Sequence, residues 1–258
     1  YWNDGSGWLP IGSSSQYFTA IFEGNGHVIS KLYIDRADSY YIGLFGAING
    51  GRIQRLILNG ITVKGGRYVG GLVGSVADNN VLEANAVTGS IHASFTGAAD
   101  AGGLVGSINE NNTVKANLIS GRVTADGSSV GGVASSARYN NIIVGNLSTA
   151  WVEGLISTGG IVNYSSLSSI FENNYWATDT SGQLSSHRAN EVSSYVGLPL
   201  ATLRCAVQAN TTSENSECVS ADGSAEGLND SVTLFKGWDT YGAEDSDGVF
   251  QAYWEFGG

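Results

Sequence analysis

The chain has 258 residues and a formal charge of −11, from 12 Lys and Arg against 23 Asp and Glu. Binding to nucleic-acid phosphates needs a basic surface, and no basic cluster occurs anywhere, which argues against a nucleic-acid partner. Hydrophobic residues make up 42% and recur at regular spacing, which does not fit a disordered chain, and no apolar run approaches the roughly 18 residues of a membrane span.

Residues 1–42 read as a lead-in cap and first coil. The sequence starts Tyr1-Trp2-Asn3-Asp4 and contains no Met, so the chain is expected to be a piece of a larger polypeptide. From residue 43 a glycine box recurs: Gly43-Leu44-Phe45-Gly46, Gly70-Gly71-Leu72-Val73-Gly74, Gly102-Gly103-Leu104-Val105-Gly106, Gly131-Gly132-Val133-Ala134 and Gly159-Gly160-Ile161-Val162. Taking Gly43 and then the second glycine of each copy, the steps are 28, 32, 29 and 28 residues, the period range of stacked supersecondary repeats.

Each box is followed by an alternating apolar run carrying an asparagine. The asparagines are Asn59, Asn85, Asn117, Asn146 and Asn174. In Val114-Lys115-Ala116-Asn117-Leu118 every second residue is apolar, the pattern of a strand with one buried face. Stacked coils bring equivalent positions about 4.8 Å apart, so these five asparagines are expected to form a hydrogen-bonded ladder. The longest step carries extra residues near 94–100, and insertions in solenoids emerge as loops on one face. Phe95, Thr96 and Asp100 are therefore the candidate binding loop.

Residues 181–258 differ in kind, with 11 acidic and 3 basic side chains against 12 and 9 in residues 1–180. Cys205 and Cys218 read as a disulfide closing a surface loop, by analogy with secreted chains, with two free thiols as the alternative. Asp239, Glu244, Asp245 and Asp247 concentrate oxygen ligands beside Gly248, where calcium is the ion to expect and a solvated acidic turn is the competing reading. No other cofactor is implied.

The fold class expected is all-β: a β-solenoid of about five to six glycine-rich coils over residues 1–180, with residues 181–258 as an acidic, disulfide-closed C-terminal cap packed on its end.

Three segments carry a family resemblance. Trp8-Leu9-Pro10-Ile11-Gly12 followed by Phe18 to Ser30 is similar to the lead-in of GLUG-motif repeat arrays, the boxes at 68–74 and 102–107 resemble the repeat itself, and Asn173-Asn174-Tyr175-Trp176 to Gly182 resembles the exit motif. Ala252 to Gly257 is similar to the closing strand, so Trp176 and Trp254 are expected to plug the stack. Copies four and five depart from the motif with Val133-Ala134-Ser135 and Ile161-Val162-Asn163. The resemblance implies a β-solenoid in a bacterial secreted or cell-surface protein, adhesins among them, and implies no chemistry.

The function expected is a structural or adhesive segment, secreted or on the bacterial surface. Its side loops would contact an extracellular glycan or a host or neighbouring cell. The alternative is a β-helix lyase or glycoside hydrolase acting on extracellular polysaccharide, which needs an acid and base pair facing one groove. An ice-binding solenoid is a third reading. Glu83, Asp100, Glu110, Asp126, Glu153 and Glu172 show no regular column, so no catalytic residue is assigned.

Overall fold

The structure is a computed structural model and describes residues 2–127, 129–166, 168–183, 195–200 and 203. The chain winds into a β-solenoid of about five turns, with three parallel sheets and almost no helix. A box face follows each glycine box: Phe45–Ile48, Val73–Val76, Val105–Ile108, Ala134–Ala137 and Val162–Ser165. A short face comes next, with Ile21–Glu23, Arg52–Gln54, Val81–Glu83, Thr113–Lys115, Ile142–Val144 and Ile170–Glu172. The broad face closes each turn. It is built on Ile57–Gly70 and continues as Ala86–Ala93 with Asp100–Gly102, then Leu118–Ala125 with Ser129–Gly131.

The interior is a stack of like residues. On the short face Phe22, Ile53, Leu82, Val114, Ile143 and Phe171 share one column. Phe45, Val73, Val105, Ala134 and Val162 share one on the box face. Of these eleven side chains all but Phe22 are buried, and Phe22 packs against the same core. A single coil could not bury such a face, so its stability comes from its neighbours.

The Gly-Gly pair turns the chain from the broad face to the box face without a left-handed φ; its glycines are there for space. A Cβ on Gly71 would lie 2.6 Å from the Gly103 carbonyl oxygen, and one on Gly103 would strike the Gly132 carbonyl. At the third glycine the strand lies against the preceding coil, since a Cβ on Gly74 would meet the Tyr41–Ile42 backbone and one on Gly106 the Tyr68–Val69 backbone. Ser135 and Asn163 replace that glycine in the last two copies. The Ser135 hydroxyl donates to the Gly106 carbonyl, while the buried Asn163 Oδ1 has no hydrogen-bond partner among the described residues.

Trp176 is buried under the terminal coils: a Cβ on Gly160 or Gly197 would run into its ring, and its Nε1 donates to the Gln183 carbonyl at 3.0 Å. Strand Tyr195–Leu198 pairs in parallel with Asn174–Ala177, so the broad sheet continues beyond residue 180. A four-residue α-helix, Thr178–Ser181, follows the last coil. Cys205 and Cys218, the acidic residues 239–247, Trp254 and nearly all of the expected C-terminal cap lie outside the described residues.

Candidate functional site

Two corners of the solenoid are held by buried asparagines. At the corner between short and broad faces, Asn85, Asn117, Asn146 and Asn174 are fully buried and stack coil on coil. The Nδ2 of Asn85 donates to Asn117 Oδ1 at 3.1 Å, that of Asn117 to Asn146 Oδ1 at 2.9 Å, and that of Asn146 to Asn174 Oδ1 at 2.9 Å. Each Oδ1 also accepts the backbone N–H of the asparagine before it. Each Nδ2 reaches back to a carbonyl on the other side, such as Leu82 for Asn117 and Val114 for Asn146. Each amide is thus hydrogen-bonded through both its Oδ1 and its Nδ2, which burial requires.

Asn59 does not belong to this column. It is exposed, and the column position in its coil is held by buried Leu56, whose N–H donates to Asn85 Oδ1 at 3.1 Å. Ile57 and Leu58 pair regularly with Ala86 and Val87, so Asn59 lies three residues past the corner, on the broad face beside Ser30.

A second ladder, which sequence reasoning missed, occupies the corner between box and short faces. Asn80 donates through Nδ2 to Asn112 at 2.9 Å, Asn112 to Asn141 at 3.2 Å, and the Asn141 N–H to Ser169 Oγ at 3.1 Å. The recurring Asn-Asn pairs at 79–80, 111–112 and 140–141 are its signal in the sequence. In both ladders the preceding residue is left-handed: Asn79, Asn111 and Asn140 in one, and Ala84, Ala116, Gly145 and Asn173 in the other.

The outward side chains beside the Gly-Gly corner form the best candidate for contact with a partner. Tyr41, Tyr68, Asp100 and Ser129 occupy successive places in one column. The first two rings stack, with centroids 5.4 Å apart and 9° between their planes. The Arg67 guanidinium lies 4.5 Å over the Tyr68 ring and donates through Nε to Asp100 at 2.9 Å. Where the tyrosines give way to Asp100 and Ser129, a cleft of about 290 Å³ opens, bounded further by Ser136, Arg138, Tyr139 and Tyr164. Tyr139 and Tyr164 are half exposed.

Burial pushes the Asp100 carboxyl above its ordinary value, and the Arg67 hydrogen bond offsets this only in part. For Arg67 itself, burial is the largest influence and works against the charge, but the Asp100 hydrogen bond and the charge interactions with Tyr68, Asp100 and Tyr40 together outweigh it and its pKa is raised. Burial also raises the Tyr68 phenol. A second, larger cleft of about 730 Å³ adjoins Tyr40 and Tyr41 on their other side, between the lead-in segment at Pro10 and Tyr17 and the first coil.

The three extra residues of the long step emerge at this flank, between Ala93 and Asp100. Phe95 is exposed and tilts against Tyr40, ring centroids 5.5 Å apart, and its N–H donates to the Gly66 carbonyl. Thr96 is exposed at the loop tip. The structure thus places Asp100 in the smaller cleft and Phe95 against Tyr40, which lines the larger one. The tyrosines and Arg138 were not singled out from sequence; the Tyr-Ile-Gly and Tyr-Val-Gly triplets at 41–43 and 68–70 are the pattern that marks two of them.

The remaining acidic residues lie elsewhere. Glu83 pairs with Lys115 at 2.7 Å and shares its column with Glu172 three coils on, so those two do keep one register. Glu153 pairs with Arg122, and Asp126 lies 3.4 Å from the His92 ring, which also bonds Thr124. His27 is an exposed turn residue. Among the described residues no group of three or more His, Cys, Asp or Glu converges as a metal site, and no helix is long and apolar enough to cross a membrane.

No protein-family model matches the chain, and no solved structure matches it. Two curated proteins are similar over parts of it. Halomucin of Haloquadratum walsbyi is 37% identical over 94 residues, covering 35% of this chain and 1% of its own length. A protein of Evansella cellulosilytica described as a Gly-rich membrane protein is 43% identical over 79 residues, covering 30% of this chain and 9% of its own. The chain therefore matches only a small fraction of either relative.

Proposed function

We propose that the chain is a rigid structural segment of an extracellular or cell-surface protein that presents a glycan-contact flank beside its Gly-Gly corner. The observation that carries this reading is the stacked pair Tyr41 and Tyr68, beside a cleft with guanidinium, carboxylate and hydroxyl groups. Flat rings with polar groups at their edges suit the apolar faces and hydroxyl rims of sugars. The repeat architecture supports the structural part, because stacked coils with satisfied ladders make a stiff spacer. The names of the two partial relatives fit a surface setting, and so does the likeness to GLUG-motif arrays.

The lytic alternative needs an acid and a base facing the same glycosidic bond. Asp100 is the carboxylate of the smaller cleft and is engaged by Arg67, an arrangement suited to holding a hydroxyl. The test is incubation of the chain with bacterial, algal and host polysaccharides, following both retention and new reducing or unsaturated ends. Retention without new ends supports the proposal. New ends that depend on Asp100 would replace it with the lytic reading.

A further inference from the structure

The cleft at the end of the tyrosine column is electrostatically unlike the rest of the molecule. It holds two guanidiniums, Arg67 and Arg138, against the single carboxylate Asp100, in a chain of net charge −11. Arg67 spends only Nε on Asp100, so its two terminal nitrogens make no hydrogen bond to a described residue. Arg138 is exposed and its guanidinium makes no hydrogen bond or ion pair with a described residue. Its backbone is nonetheless fixed, since the Arg138 carbonyl accepts the hydroxyls of Ser166 at 2.7 Å and Ser169 at 2.8 Å.

Two cations held on fixed backbone a short way apart, with one counter-charge between them, suit an anion better than a neutral group. Guanidinium also pairs well with the two oxygens of a carboxylate or sulfate. Tyr68, backed by Tyr41, and the half-exposed Tyr139 and Tyr164 supply ring faces around the same space. At about 290 Å³ the cleft lies at the small end of ligand sites, which run from about 300 Å³. That is room for a sugar unit of a longer chain passing along the flank.

We infer that this cleft binds an anionic sugar residue, a uronate or a sulfated sugar, with Arg138 and the terminal nitrogens of Arg67 on the anionic group, Asp100 accepting a ring hydroxyl, and Tyr68 or Tyr164 against the ring. This deepens the proposed function and rests on its glycan-contact reading.

The experiment is calorimetric titration of the whole chain with uronate and sulfated oligosaccharides, each matched with its methyl-esterified or desulfated counterpart. The chain and the Arg138→Gln and Arg52→Gln variants are compared. Arg138 and Arg52 are both exposed, so folding should be preserved, and Arg52 lies on the short face, outside the cleft. The expected result is binding of at least one acidic oligomer, roughly tenfold weaker for its neutral counterpart and for Arg138→Gln, and unchanged for Arg52→Gln. Whether the uronate or the sulfated series binds identifies the anion. Equal binding of acidic and neutral members, insensitive to Arg138→Gln, overturns the inference and leaves the glycan-contact reading standing. Equal loss with Arg52→Gln shows nonspecific attraction and also overturns it. No binding by any oligosaccharide overturns both.

Discussion

Asn117 Nδ2 donates to Asn146 Oδ1 at 2.9 Å, and the same oxygen accepts the Asn117 backbone N–H at 3.1 Å, so one buried side chain closes both donors of the coil before it. This two-to-one pattern makes each asparagine a clamp between coils. Replacing Asn117 by Ala leaves the Asn85 N–H without its acceptor in a site closed to water, along with a small void. The expected cost is about 2 to 4 kcal/mol. Asn117→Asp keeps an acceptor but sets a buried carboxylate against Asn146 Oδ1. It should be worse than Ala at neutral pH and recover as the carboxyl protonates. Urea midpoints at pH 7 and pH 4 check both; equal midpoints for Ala and wild type would show that the ladder does not hold the coils.

The corner glycines make a different prediction, because two kinds of glycine occur. Gly103 has no left-handed φ but no room for a Cβ, which would strike the Gly132 carbonyl and the Ile119 side chain. Gly26 has φ +73 with nothing near its missing Cβ. Gly103→Ala should therefore cost about 3 kcal/mol or more, through displacement of a coil, and Gly26→Ala only the left-handed penalty of about 1 kcal/mol. Thermal melts of the two variants separate steric from conformational glycine.

Ala84 carries the reverse case, a non-glycine residue at φ +53 just before a ladder asparagine, where Gly145 stands two coils later. Its conformational strain is about 1 to 2 kcal/mol, against an unfolded-state penalty of about 0.5 to 1 kcal/mol for introducing glycine. Ala84→Gly is expected to stabilise by about 0.5 kcal/mol, seen as a higher urea midpoint with unchanged slope.

What could be read in the sequence follows from where backbones touch. The Gly-Gly column is legible because steric exclusion between coils admits the same residue at every turn, and so the boxes keep their period. The Asn85 to Asn174 ladder is legible for the same reason. Asn59 misleads because it stands near the right interval but three residues past the corner, which Leu56 holds. The cleft was hidden for the opposite reason. Tyr68, Asp100 and Ser129 occupy one column with a different residue each time, so repetition, the signal that exposes the fold, is absent where the candidate site lies.

Glu23 gives the pH dependence its sign. The Arg55 guanidinium holds its carboxyl down to about 2 against opposing burial, with Gln54 and the Asn25 N–H assisting. Because the folded value lies below the unfolded one, this group stabilises the first coil above the unfolded carboxylate range near pH 4.5, and the contribution disappears as pH falls through about 2. Asp100 has the opposite sign, since burial raises its carboxyl. Its ionisation draws stability from the fold as pH rises from the ordinary aspartate range through the raised value. The Glu23→Gln variant should melt below wild type at pH 6, with the gap constant down to about pH 4.5 and closing toward pH 2. The stability of Asp100→Asn relative to wild type should rise with pH over the range where Asp100 ionises. Melting temperatures between pH 2 and 7 read both. A Glu23→Gln gap that widened on acidification would mean that the Glu23–Arg55 pair does not tie the first two coils together.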